Sequence, residues 1–60
     1  MNIRKITDIR EGDKIKNKLG EKVTVIFKKN ENGRIILEYS KGIKIEKESY
    51  EVDEKVEFID

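Results

Sequence analysis

Between positions 23 and 45 the chain alternates apolar and polar residues closely enough to fix its secondary structure. Val23, Val25 and Phe27 fall on one parity, with Thr24, Ile26 and Lys28 on the other, and Ile35, Leu37, Tyr39, Ile43 and Ile45 continue the odd-numbered apolar set. A side-chain period of two marks half-buried strands. Upstream, EGDKIKNKLG reads as turn, strand, turn, with Ile15 inward; downstream, Tyr50 and Val52, then Val56 and Phe58, alternate around a turn at Asp53-Glu54. Five or six short strands predict an all-β fold, a small antiparallel barrel or a strongly bent sheet, because closure protects edges that a flat sheet would expose. Ile3, Ile6 and Ile9, spaced by three, fit a short helical turn capping one end. The expected core is Ile15, Val23, Val25, Phe27, Ile35, Leu37, Ile43, Ile45, Val56 and Phe58.

Register follows from the turns. KNENGR allows a two-residue Asn32-Gly33 loop or a three-residue loop, Glu31-Asn32-Gly33, with Gly33 left-handed in a bulge. The shorter loop sets Phe27 opposite Glu38 and mixes apolar with charged residues on one face. The longer one pairs Phe27 with Leu37 and Val25 with Tyr39, so matching inner faces favour it. SKG at 40–42 supplies the next tight turn, from which Ile43 and Ile45 are expected to point inward.

A chain of 60 residues makes one domain, spanning 1–60, and buries only about 60% of the surface its unfolded form exposes. It has neither cysteine nor histidine, so disulfides are excluded and ordinary zinc chemistry lacks ligands. The amino-terminal MNIRKITDIR has no apolar core, and the longest apolar runs, VIF and IIL, are three residues, so neither a signal peptide nor a membrane span is expected and a cytoplasmic protein is the natural reading. Hydroxyl groups without a histidine base, and isolated turn glycines rather than a phosphate-cradling cluster, predict no enzyme and no cofactor. The acidic segment ESYEVDEKVEFID lacks the ligand spacing of a calcium loop, so no metal site is expected.

The run EGDKI at 11–15, Gly20, VTVIF at 23–27, IILEYSKG at 35–42 and the later YEV resemble the SH3-like small barrels, particularly the KOW and Tudor-like kind. GDKIKNKLG is also similar to the GDKV-N-x-x-G opening of short bacterial and phage-type proteins. The resemblance covers residues 9–58 and implies a barrel that works by binding. At one point the chain departs from KOW motifs, which carry a second glycine where Gly20 is followed here by Glu21-Lys22-Val23.

Net charge is +1, from 14 basic and 13 acidic side chains, but it is unevenly spread: residues 1–30 hold nine basic and four acidic groups, residues 31–60 five and nine. With screening over about 8 Å, a local patch acts despite a near-neutral total. KIKNK places Lys14, Lys16 and Lys18 at alternate positions, about 6.6 to 7 Å apart on a strand, close to the phosphate spacing of one nucleic-acid strand. Lys22 and Lys28 share the outward parity. These five lysines are the candidate contacts for weak, non-specific, salt-dependent nucleic-acid binding, or for docking on a protein of a nucleic-acid assembly. The competing explanation is that exposed lysines guard an edge strand against aggregation. A second functional class is a protein-interaction module, such as a phage or mobile-element accessory protein, using a sheet edge or an apolar patch of Ile26 and Ile36 with Tyr50 as an exposed contact. In the bland alternative, Ile3, Ile6 or Phe58-Ile59 covers that patch. Either class is compatible with a monomer or a weak homodimer.

Overall fold

The computed structural model describes residues 2–59. Six strands form one antiparallel sheet: β1 (Asn2–Lys5), β2 (Lys14–Lys16), β3 (Lys22–Glu31), β4 (Arg34–Lys41), β5 (Lys44–Glu51) and β6 (Lys55–Ile59). Their order in space is β1-β6-β2-β3-β4-β5, so β1 and β5 are the edges and the paired strands do not close into a ring. A single 3-10 turn, Ile6–Asp8, follows β1. It buries Ile6 and Ile9, as the three-residue spacing predicts, but Ile3 stays on β1 and is exposed. Among the described residues no helix is long and apolar enough to cross a membrane.

The sheet curls so that one face encloses the core. In a flat sheet β2 and β5 would lie about 14 Å apart, three strand spacings. Yet the ammonium of Lys18, just beyond β2, donates to the Ser49 carbonyl of β5 at 2.6 Å. The Ile6 N–H reaches the Glu54 carbonyl at 2.8 Å and ties the 3-10 turn to the segment before β6.

The β3–β4 hairpin corrects the expected register. Glu31 pairs with Arg34, so the loop is the two-residue Asn32-Gly33, with φ of 53° and 77°. Positive φ at both central positions is the backbone of a type I′ turn, whose twist matches that of the flanking strands. The mismatch that disfavoured this loop is real: Phe27 does sit opposite Glu38. It is absorbed by a bulge between Val25 and Phe27, beyond which Val25 pairs with Tyr39 as expected. One extra residue on β3 shifts its parity, so Val23 and Val25 face the core on one side of Ile26, while Lys28 lies opposite Leu37 on the other. Phe27 is therefore 42% exposed and not a core residue.

The β4–β5 hairpin corrects a second expectation. Lys41 pairs with Lys44, making Gly42-Ile43 the loop, with Gly42 at φ 62° in the position a type II′ turn reserves for glycine. Ile43 is fully exposed at the tip, and Ile45, paired with Ser40, is also exposed. The inward parity of β5 falls instead to Glu46, Glu48 and Tyr50, opposite Tyr39, Leu37 and Ile35. The core is Ile6, Ile9, Ile15, Val23, Val25, Ile35, Leu37, Tyr39, Tyr50 and Val56, with Phe58 partly buried against it. Inward-facing carboxylates on an edge strand deter pairing with another chain.

Candidate nucleic-acid interface

Ile15 of β2 is buried, so Lys14 and Lys16 project from the outer face of the sheet. The β2–β3 register puts Lys16 directly opposite Lys22 and Lys14 opposite Thr24. On the far side of β2, Lys16 approaches Glu57 of β6 at 3.7 Å. The β1–β6 register adds a second like-charged pair on the same face, Lys5 opposite Lys55. Among the described residues, Glu57 is the one carboxylate that pairs with any of these five lysines; Lys5, Lys14, Lys22 and Lys55 form no ion pair. Directly opposed like charges oppose sheet formation. Lys5 and Lys55 escaped the sequence reading because their place depends on β1 docking beside β6, a pairing that no local pattern reveals.

The row itself is interrupted. Asn17 is only 6% exposed and turns the chain, which sends Lys18 across to the other edge. There its ammonium lies 4.7 Å from the centroid of the Tyr50 ring and 4.0 Å from Glu54. Lys28, moved to the inner parity by the bulge, donates to the Thr7 carbonyl at 2.9 Å. Of the five lysines expected to act together, the fold thus groups Lys14, Lys16 and Lys22 and engages Lys18 and Lys28 elsewhere.

Topology bears on the competing explanation for the row. β2 is an interior strand with β6 on one side and β3 on the other. Lys14, Lys16 and Lys22 therefore guard no edge. Lys18 does: by donating to a β5 carbonyl it occupies an acceptor of an edge strand.

The second candidate surface is larger than the sequence suggested. Ile26 and Phe27 are each 42% exposed at the bulge, Phe27 opposite Glu38 and Ile26 the unpaired residue before it, and Ile36, half-buried, lies opposite Lys29. Ile45 extends the outward apolar set on β5. Of the residues expected to cover Ile26 and Ile36, Ile6 lies in the core, Phe58 packs against that core and Ile3 is itself exposed. Tyr50, expected as an exposed contact, is 2% exposed and belongs to the core.

On the inward face of the sheet, away from both surfaces, lies a polar cluster of Asn17, Tyr39, Glu48 and Tyr50. The Asn17 carbonyl oxygen accepts from the N–H groups of Leu19 at 3.0 Å and Glu21 at 2.8 Å, and its amide donates to the Tyr39 hydroxyl at 3.2 Å. The Tyr50 hydroxyl donates to Glu48 in a short hydrogen bond. Burial, then the bond to Glu48, raises the Tyr50 phenol well above the ordinary tyrosine range; burial likewise raises Tyr39. At the rim, a hydrogen-bonded ion pair with Lys41 lowers Glu21, and the same contact raises Lys41. The sequence placed a turn here, where an asparagine stands three residues before a glycine, but gave no sign of the Asn17–Tyr39 contact.

Among the described residues no group of three or more acidic, histidine or cysteine side chains converges as a metal site would. No family model, curated protein or solved structure matches the chain.

Proposed function

We propose that the chain is an SH3-like small barrel acting as a non-catalytic binding module, which takes the phosphate backbone of nucleic acid on the outer face of β6, β2 and β3. The order β6-β2-β3-β4-β5, with the Lys18 strut from the β2–β3 loop to β5, is the observation that supports the barrel reading. For function, the carrying observation is that Lys16 and Lys22 oppose each other on interior strands. Edge protection gives no reason for them, and their repulsion costs stability in the free protein. A polyanion relieves it. Because the face offers lysine point charges rather than arginine forks, contact is with phosphate and not with base edges.

The test compares two charge reversals of equal size. Lys16→Glu with Lys22→Glu strikes the proposed face, whereas Lys44→Glu with Lys47→Glu strikes exposed positions of β5. Retention on immobilised single-stranded oligonucleotide should fall in the first variant alone, with both variants folded by circular dichroism. An equal loss in both would mean that bulk charge, and not this face, governs retention.

A second reading is favoured by the bulge, which leaves Ile26 and Phe27 together at the surface. Adjacent exposed apolar side chains are a feature of protein contacts. If oligonucleotides do not bind, Phe27→Ser is the variant with which to test that reading.

A further inference from the structure

A concave basin of about 900 Å³ lies between β1, the 3-10 turn, the loop leading into β2 and Lys28 of β3. Its walls carry five cations, Arg4, Lys5, Arg10, Lys28 and Lys55. Two carboxylates, Asp8 and Asp13, also line it, leaving an excess of three positive charges (five less two). None of the five cations forms an ion pair among the described residues, and Asp13 is already engaged by the Arg10 backbone N–H at 2.8 Å.

The basin differs in kind from the lysine face. It holds two of the three arginines in the chain. The Arg4 guanidinium lies 4.0 Å from the centroid of the Phe58 ring, which orients its plane and leaves its edge donors free. Arginine presents paired N–H groups that match two oxygens of one phosphate, which lysine does not. A backbone phosphodiester carries a single charge, whereas a phosphomonoester carries about −1.5 to −2 at neutral pH and three strong acceptor oxygens.

We propose that this basin seats a phosphomonoester, held by Arg4 and Arg10 with Lys5, Lys28 and Lys55 supplying charge. The group is either the 5′-phosphate end of a nucleic-acid strand or the phosphate of a free nucleotide. Lys5 and Lys55 belong to both the basin and the outer face, so a strand end in the basin leads directly onto that face. The strand-end form rests on the reading given under Proposed function; phosphate capture by the basin does not.

The experiment is an amide chemical-shift titration of the full chain with three probes: one single-stranded oligonucleotide bearing a 5′-phosphate, the same oligonucleotide with a 5′-hydroxyl, and a nucleoside 5′-monophosphate. The phosphorylated oligonucleotide should move the amides of Thr7, Asp8 and Arg10 and bind at least about tenfold more tightly than the hydroxyl form, the worth of one charge-assisted contact. Arg4→Gln with Arg10→Gln should abolish that preference. Lys5→Gln with Arg10→Gln, which leaves the Arg4–Phe58 stack in place, guards against a folding artefact. Comparable binding of the monophosphate identifies a free nucleotide as the source; a preference for the phosphorylated oligonucleotide identifies a strand end. Basin amides that stay still with both phosphorylated probes, or move equally with the hydroxyl form, overturn the inference. In that case continued shifts at Lys14, Lys16 and Lys22 would leave the outer-face reading intact. Basin shifts with the monophosphate, and none on the outer face with any oligonucleotide, would instead sustain the basin and remove the outer face.

Discussion

Lys16 and Lys22 face each other across the β2–β3 ladder, and among the described residues the one carboxylate that forms an ion pair with either is Glu57, 3.7 Å from Lys16. Both strands are interior, so the pair protects no edge. Under the proposed interface, stability and binding are opposed at these positions.

Lys22→Gln removes one member of the pair and should stabilise the free protein by a few tenths of a kcal/mol at low salt, within the range of about 0.2 to 1 kcal/mol for cross-strand pairs. The gain should shrink in high salt as the repulsion is screened. Urea unfolding at two ionic strengths measures it. A loss of stability at low salt would show that the two ammonium groups are not in conflict.

The β3 bulge makes neighbouring apolar residues unequal. Leu37 is fully buried while Phe27 is exposed. Leu37→Ala should cost about 2 to 5 kcal/mol, enough to unfold much of the population of so small a domain, whereas Phe27→Ala should cost less than about 1 kcal/mol. Thermal unfolding separates the two. Equal, large losses would return β3 to an unbulged register.

Asn17 ties the β2–β3 loop to Tyr39 of β4. Asn17→Ala leaves the N–H groups of Leu19 and Glu21 without their acceptor, which should cost about 2 kcal/mol. For a domain of this size each kcal/mol lowers Tm by roughly 4 to 8 °C. A shift of less than about 3 °C would mean that solvent replaces the amide without loss.

Tyr39 and Tyr50 both have raised phenol pKa values, caused first by burial. Above pH about 10 the unfolded chain loses phenolic protons that the folded chain retains, so the unfolded state binds fewer protons and stability falls as pH rises. The contribution is complete below the unfolded value and is lost as pH climbs toward the folded ones. Absorbance at the tyrosinate band should therefore stay low at pH 10 and rise together with unfolding. Half-ionised tyrosine in a folded chain at pH 10 would contradict their burial.

Strand positions and most of the core were legible because period-two alternation is a local signal; Ile15, Val23, Val25, Ile35, Leu37 and Val56 are buried as read. Phe27, Ile43 and Ile45 were misplaced for one reason. Each lies at or just after a feature, the extra residue Ile26 on β3 or the two-residue Gly42-Ile43 turn, that reverses the inward parity of the strand beyond it. Preferring apolar matching over turn chemistry gave the wrong loop at Asn32-Gly33, since a bulge satisfies both. The same reversal removed Lys28 from the lysine face, and the turn at Asn17 removed Lys18. Lys5 and Lys55 joined it only through a long-range strand pairing.

The most direct measurement is fluorescence anisotropy of a labelled single-stranded oligonucleotide titrated with the chain between about 50 and 200 mM salt, where phosphate contacts lose affinity steeply. Three to five lysine contacts predict a log-log salt slope of about −2 to −3.5, and in the Lys16→Glu, Lys22→Glu variant binding should all but vanish. No binding by the wild-type chain at the lowest salt, or equal binding by the variant, would contradict a phosphate interface at Lys16 and Lys22.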